Sequence, residues 1–318
     1  MSKKDFWKNL KKPIIALAPM EGYTDSAFRR VCKYINPEII TFTEFASADG
    51  LHYNSQKTQN KFNFFEEERP IVAQIFGKRI EGFKTAAKFC EDQGFDALDI
   101  NMGCPVKKIF KAEHGVALRK NKDLAYRLIE AVARSTSLPV SVKTRLGLEN
   151  SDDLIEFSLG AQNAGADLIT IHGRTYKEMY RGEGDWNPIY ELKKHLRIPV
   201  IGNASITSLE DGFARVNNLD GFMIGRAAMG NPWVFAAKSA QPLNFIDKIP
   251  IIKLHAKYLV EAKGQDIGTR EIRSHLISYV KGVNGAKSYR MRLVHVNSLE
   301  EIEVILDEIS KDIICAAE

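Results

Sequence analysis

Four cysteines, Cys32, Cys90, Cys104 and Cys315, raise the first chemical question of this sequence. None forms a CxxC pair, so neither a metal site nor a disulfide scaffold is expected. Cys32 and Cys90 lie in helix-like stretches beside apolar residues and read as buried structural thiols. Cys104 differs, because Gly103 and Pro105 hold it on a tight loop rather than in a helix. Other polar groups recur at the ends of short apolar runs: Glu44, Gln74, Asn101, Lys143 with Arg145, His172 with Arg174, and Asn203. Pro19-Met20 ends another such run, and Gly202 and Gly225 end two more, with Arg226 directly after the second. Polar groups at such positions cost stability unless satisfied, and a purely structural scaffold would not need them. They read as one site assembled from many strands.

The elements that must position them are legible as alternation. The apolar, β-branched runs are Ile14–Met20, Ile39–Phe45, Ile71–Gly77, Ala97–Gly103, Val140–Gly147, Leu168–Arg174, Val200–Ser205 and Gly221–Ala227. They begin 21 to 43 residues apart, which leaves room for a helix between each pair. Near-continuous hydrophobic strands indicate burial on both faces, as in a parallel sheet. Eight strand–helix repeats predict an α/β fold closed as a TIM (β/α)8 barrel, whose working residues stand at the C-terminal ends of its strands. An open doubly wound sheet would carry a GxGxxG turn after its first strand, where this chain has Ala18-Pro-Met-Glu-Gly22. The strand pattern stops near Trp233, and Gln241-Pro242 and Ile249-Pro250 read as a linker. The expected organisation is therefore a catalytic barrel over residues 1–240 and a small C-terminal helical domain over 241–318.

The site residues suggest a bound anion. Loops after the last two strands of such barrels often hold a phosphate through backbone N–H groups. Gly202, Asn203 and Gly225 stand there, and Arg226 adds a charge suited to bidentate binding. Lys143 and His172 are donors from adjacent strands. Donors beside a phosphate site suit a flavin, whose reduced ring is anionic. Gln74 is a candidate for the ring's remaining polar edge. With no dinucleotide fingerprint, FMN is expected rather than FAD.

Several ordered motifs also match a known family. Ala18-Pro-Met-Glu-Gly-Tyr-Thr-Asp-Ser-Ala-Phe-Arg29 resembles the opening of the tRNA-dihydrouridine synthases, APMxGxTDxxFR. Similar to that family too are Gln74-Ile-Phe-Gly77, Asp99-Ile-Asn-Met-Gly-Cys-Pro-Val-Lys-Lys-Ile109, Val142-Lys-Thr-Arg-Leu-Gly147, His172-Gly-Arg-Thr175, Gly184-Asp-Trp186 and Met223-Ile-Gly-Arg226. The match runs from about residue 13 to 235, looks most like the bacterial B-type branch, and is less sharp in Arg273-Ser-His275 and Tyr279-Val-Lys-Gly282. The resemblance implies reduction of the C5–C6 bond of a uridine in the tRNA D-loop, with FMN reduced by NADPH and hydride delivered to C6. It implies Cys104 as the acid that protonates C5, a role within reach of a neutral thiol of pKa about 8.5. It places Asn101 on the uracil edge, Pro19, Met20, Lys143 and His172 at the flavin, Arg145 and Arg174 where substrate or phosphate charge is expected, and Lys108 on the substrate-side loop.

The charge distribution fits such a partner. The chain holds 45 Lys and Arg against 40 Asp and Glu, a net +5. Between Arg270 and Arg292 the basic residues Arg270, Arg273, Lys281, Lys287, Arg290 and Arg292 face one acid, Glu271. Arg270, Arg273, Lys281 and Lys287 are therefore expected to contact tRNA phosphates. With charge as the only argument, a solvated helix face is the equal alternative. No apolar run approaches the ~18 residues that span a bilayer, and no signal peptide opens the sequence, so a cytoplasmic, monomeric enzyme without a metal is expected. Relatives commonly read Gly-Asn-Gly-Asp where this chain has Gly202-Asn-Ala-Ser205, and Arg119 replaces a usual apolar residue. His114, in the loop after Cys104, reads as a solvent-facing histidine or as a group that tunes the thiol. Two rival readings are a small-molecule pyrimidine reductase of the dihydroorotate dehydrogenase kind, and an RNA-binding barrel without chemistry.

Overall fold

The computed structural model describes residues 5–316. Nine strands form one parallel sheet: β1 (Ile14–Leu17), β2 (Thr41–Phe42), β3 (Ala46–Ser47), β4 (Ile71–Phe76), β5 (Ala97–Met102), β6 (Val140–Arg145), β7 (Leu168–His172), β8 (Val200–Asn203) and β9 (Gly221–Ile224). Their spatial order is β1-β9-β8-β7-β6-β5-β4-β2, with β3 also paired to β4. A bridge between Ala16 and Ile40 closes the remaining seam, through Leu17 N–H to Ile40 O at 2.9 Å and Ile40 N–H to Ile15 O at 2.8 Å. The barrel is therefore the eight-stranded one expected, with its second strand broken into β2 and β3. The single run Ile39–Phe45 hides that break: Thr43 still donates its N–H to Val72 O at 2.9 Å, and Glu44 and Phe45 then leave the sheet. The other strands each stop one to three residues short of their apolar runs, where the chain turns into the mouth loops.

The barrel interior is layered. Trp7, from the short helix Phe6–Asn9, plugs the lower end against Ile14, Phe42, Val72, Ala97, Leu168, Ile201 and Met223. Above this apolar layer the inward positions turn polar: Gln74, Asp99, Ser141 and Thr170 are fully buried. The register sets the next rows, pairing Asn101 with Lys143, Lys143 with Thr170, Arg145 with His172 and His172 with Asn203. Parallel pairing in that register is what brings residues from four strands to one mouth.

Outside the barrel, helices cover the sheet over one large core. A second core gathers the helices Ile249–Lys263, Gln265–Tyr279, Ala286–Leu293 and Leu299–Cys315, through Ile252, Leu259, Ile272, Leu276, Leu293, Ile302 and Ile309. The helical C-terminal unit is thus present. Its core also takes Trp233 and Ala236, and Ala27 from the barrel helix Ser26–Ile35. On the same helix Arg30 lies over the Tyr258 ring at 3.5 Å and pairs with Glu261 at 2.9 Å. The two units are packed through shared residues on both sides of position 240.

Arg29 and Glu68 form a fully buried ion pair at 2.6 Å beside the first mouth loop. The Arg29 guanidinium also donates to the carbonyls of Thr24 at 2.7 Å and Asn63 at 3.2 Å. It holds the lip segment 20–25 against residues 63–68. Removing one partner of such a pair leaves a buried charge uncompensated. Arg29→Met is expected to lower unfolding stability by about 3–5 kcal/mol in urea titrations, and a loss below about 1 kcal/mol would show that the pair is not buried as described.

Candidate active site

The strand ends open into a cavity of about 1120 Å3. Of the site residues expected from the sequence, Pro19, Met20, Asn101, Cys104, Lys108, Lys143, Arg145, His172, Asn203, Gly225 and Arg226 line it together. Gln74, Gly202 and Arg174 do not line it. Arg270, Arg273, Lys281 and Lys287 belong to the helical unit.

Gln74 lies one layer below the floor and spends its whole amide there. Its Nε2 donates to Asp99 Oδ2 at 2.6 Å, and its Oε1 accepts from Asn101 Nδ2 at 3.0 Å. Ser141 Oγ donates to the other Asp99 oxygen at 2.6 Å. The chain of bonds then rises: Asn101 Oδ1 accepts the N–H groups of Gly103 at 3.1 Å and Cys104 at 2.9 Å. A buried carboxylate thus orients a glutamine, which orients an asparagine, which fixes the backbone of the Cys104 loop. Burial pushes Asp99 up to about 6, while its bonds to Ser141 and Gln74 and the charge of Lys143 pull the other way. Asp99 falls inside a family-like motif, yet its sequence position assigns it no role. The available signal is an aspartate inside a strand buried on both faces.

Arg145 performs the same service from above. Its Nε donates to Gly103 O at 2.8 Å, and its Nη1 to Thr175 O at 3.1 Å and Met179 O at 2.8 Å. It ties the Cys104 loop to the loop after β7, where Met179 holds a left-handed backbone at φ 54°. Tyr180 follows and lines the cavity, with the Arg145 and Arg226 guanidiniums 5.3 and 5.1 Å from its ring centroid. Tyr180 carried no sequence signal, since an isolated loop tyrosine is unremarkable. Arg119 in turn braces Arg145. It is buried on the Phe157 ring at 4.1 Å, pairs with Asp153, and donates to Arg145 O at 3.1 Å. That partnership accounts for a buried charge at a position expected to be apolar.

The electrostatics of the cavity are one-sided. Lys57, Lys61, Lys108, Lys143, Arg145 and Arg226 line it against a single carboxylate, Glu21, which is paired with Lys61. Burial lowers Lys143 to about 8, with Arg145 adding repulsion. Burial also holds His172 well below the ordinary histidine range, reinforced by Arg145 and Lys143, so the imidazole is neutral at pH 7. Its buried Nδ1 has no partner among the described residues. Lys143 Nζ reaches Asn203 Oδ1 at 3.0 Å, and Asn203 Nδ2 donates to Met223 O at 2.7 Å. Donors outnumber acceptors throughout, and a cleft lined by one sign of charge focuses its field, so the cavity is built for an anion.

The altered loop after β8 is accommodated sterically. A Cβ on Gly184 would sit 2.2 Å from Ala204 Cβ, and one on Gly173 3.3 Å from it. The added methyl of Ala204 therefore occupies space that two glycines vacate. Ser205 takes a left-handed backbone at φ 51°, and its Oγ accepts from Arg174 Nη2 at 2.6 Å. Arg174, 1% exposed, also donates to Gly182 O at 2.5 Å. It supports the loop rather than opening to the cavity. Gly202 is likewise a packing glycine, since a Cβ there would meet the Trp186 ring at 2.2 Å. His114 stands half-buried in the cavity wall, edge-on to Phe76 at 5.6 Å.

A family model described as dihydrouridine synthase (Dus) matches residues 16–316. The chain belongs to the dihydrouridine synthase family. It is 34% identical over 302 residues to a probable tRNA-dihydrouridine synthase 1 of Synechocystis, covering 92% of this chain and 84% of that one. It is 31% identical to the tRNA-dihydrouridine synthase B of Pasteurella multocida, covering 92% and 91%. To a probable tRNA-dihydrouridine synthase of Aquifex aeolicus it is 31% identical, covering 94% and 97%. Membership extends through the helical unit, where the sequence motifs were faint. As a dihydrouridine synthase-family enzyme, the chain carries its Cys104 loop on the braces just described. No described helix is long and apolar enough to cross a membrane. No group of His, Cys, Asp and Glu among the described residues is arranged to hold a metal.

Burial raises the Cys104 thiol above its ordinary 9.0, against the pull of the Val106 N–H and the Arg145 charge. The thiolate is the form that alkylates, so a raised value keeps the group protonated and slow at pH 7.5. With iodoacetamide and mass spectrometry, exposed Cys315 should label first and Cys104 later, accelerating as pH rises past 9. Buried Cys32 and Cys90 should label only on unfolding. Cys104 labelling fastest at pH 7 would contradict the assignment of a neutral thiol.

Proposed function

We propose that this enzyme reduces uridine to 5,6-dihydrouridine in the D-loop of tRNA, with FMN as cofactor, NADPH as reductant (NADH as a substitute), and Cys104 as the proton donor. The carrying observation is Cys104 on a doubly braced loop, in one cavity with Lys143, Arg145, His172 and Arg226. The cation excess and the unpartnered His172 Nδ1 fit a flavin mononucleotide, whose ring and phosphate are rich in acceptors. Pro19, Met20, Lys143, His172, Asn203, Gly225 and Arg226 would hold it, with Gln74 and Gly202 acting from behind. When bound, FMN supplies the hydride that uracil C6 receives.

The protein's own residues do the rest. Asn101 Nδ2 is committed to Gln74, and its Oδ1 to the Cys104 loop, so its place near the uracil edge is fixed before substrate arrives. Cys104, kept neutral by burial, gives its proton to C5 and remains as a thiolate that Arg145 and Lys143 stabilise by charge. Lys108, on the helix Lys107–Lys111, stands at the rim beside it. The site acts on a base that has been drawn out of folded RNA. Arg270, Lys281 and Lys287 are exposed and would meet the phosphates. Arg273 instead donates to Val296 O at 2.7 Å and Asn297 Oδ1 at 3.0 Å, and acts by fixing the turn between the last two helices. This exposed basic set on the helical unit favours RNA over a free pyrimidine as substrate. The enzyme is further proposed to work in the cytoplasm as a monomer without a metal.

The decisive experiment is mass mapping of dihydrouridine in tRNA from a strain lacking this protein, before and after complementation. Restoration by wild type and a loss of about 10²–10⁴-fold in rate with Cys104→Ala are expected; complementation by the variant at wild-type level would remove Cys104 as the acid. Charge reversal of Arg270, Lys281 and Lys287 together should weaken tRNA binding and flatten its salt dependence by up to about three phosphate contacts. Binding curves indistinguishable from wild type would move the RNA interface elsewhere.

A further inference from the structure

The cavity has a second end that the reaction above does not use. In the barrel order β5 follows β4, so the Cys104 loop divides the mouth into two sectors. On one side stand the β6–β9 residues, Lys143 through Arg226. On the other are Phe45 between β2 and β3, Phe76 at the end of β4, and His114. Phe45 and Phe76 pack edge to face at 5.3 Å, and Phe76 meets His114 edge-on at 5.6 Å. All three are partly exposed and line the cavity. The His114 ring nitrogens hold no hydrogen bond with the described residues. Lys57 and Lys61, from the segment between β3 and β4, and Lys108, from the helix that follows the Cys104 loop, also line the cavity. Lys57 and Lys108 are exposed and make no ion pair among the described residues. The whole cavity, about 1120 Å3, exceeds the roughly 300–1,000 Å3 of a single-ligand pocket.

Aromatic faces, a polar ring with free nitrogens and a rim of unpaired cations together match a nucleobase carrying its phosphates. We propose that this sector is a subsite for the nucleotide next to the target uridine in the RNA strand, its base against Phe76 and His114 and its phosphates between Lys57 and Lys108. The inference rests on the reading of the enzyme as one that acts on uridine in RNA. The strand explains why the cations are on the open rim: a backbone leaving the cavity must cross that rim. The subsite holds the strand beside the reacting base, so the uridine is presented by its neighbour as well as by its own contacts. His114 thereby acquires a function that the chemistry at Cys104 does not give it.

The test uses the holoenzyme and an RNA hairpin of D-loop sequence with 2-aminopurine placed on either side of the target uridine. Stacking quenches that fluorophore. Binding to wild type should quench it at one of the two positions, and an abasic residue there should weaken binding about tenfold. His114→Ala and Phe76→Leu, each confirmed folded by its thermal transition, should relieve the quench, weaken the intact hairpin by a similar factor, and no longer distinguish it from the abasic one. Quenching retained in both variants, or equal wild-type affinity for abasic and intact hairpins, overturns the subsite. So does a loss confined to flavin reduction by NADPH, which would assign the sector to the dinucleotide. In those outcomes dihydrouridine still forms and the functional reading stands. Failure of the wild type to form dihydrouridine in any RNA would instead bring down that reading and the subsite together.

Discussion

A single buried chain of hydrogen bonds underlies this site. Asp99 is placed where a carboxylate is expensive, and it is satisfied by Ser141 and Gln74. Because both ends of the Gln74 amide are used, Asn101 can adopt only one orientation, and that orientation presents its oxygen to the N–H groups under Cys104. Each bond in the network fixes the orientation of the next side chain. A half-satisfied version would be worse than an apolar core, so its members stand or fall together. Arg145 and Arg119 repeat the pattern on the outer side, using guanidinium forks to fix backbone carbonyls.

The electrostatic consequence is a cavity with its charges already arranged. Lys143 sits near its own titration point, and His172 is neutral, so the donor array has a net charge that a bound anion can raise. The cost of burying these cations falls on the empty protein and is returned when an anionic ligand arrives. An anion that binds the native site therefore also stabilises the fold.

Much of this was legible in the sequence, for physical reasons. Strands buried on both faces are continuous apolar runs, so the eight-fold repeat was visible, and barrel geometry then gave Cys104, Lys143, His172 and Arg226 a common address. The break between β2 and β3 was not legible, because the run from Ile39 to Phe45 carries on to an aromatic residue past the point where the backbone leaves the sheet. Depth was the second loss. Gln74 and Arg174 are at strand ends like their neighbours, yet one lies a layer below the cavity and the other behind its wall. Composition cannot distinguish an arginine that opens to a ligand from one consumed by carbonyls, and Arg273 shows the same ambiguity. Tyr180 comes from a loop, and Lys57 and Lys61 from short helical turns, whose course only the fold determines.

The shared core of the two units has a geometric consequence. Trp233, Ala236 and Ala27 lie among the C-terminal helices, and Arg30 reaches Tyr258 and Glu261. The helical unit is thus bolted to the barrel, not tethered to it. Its basic face and the Cys104 loop stand at a fixed separation, which makes the enzyme a ruler. A folded RNA seated on that face, as proposed above, would offer to the cavity only the nucleotides lying at that distance, and selection along its sequence would become a matter of length.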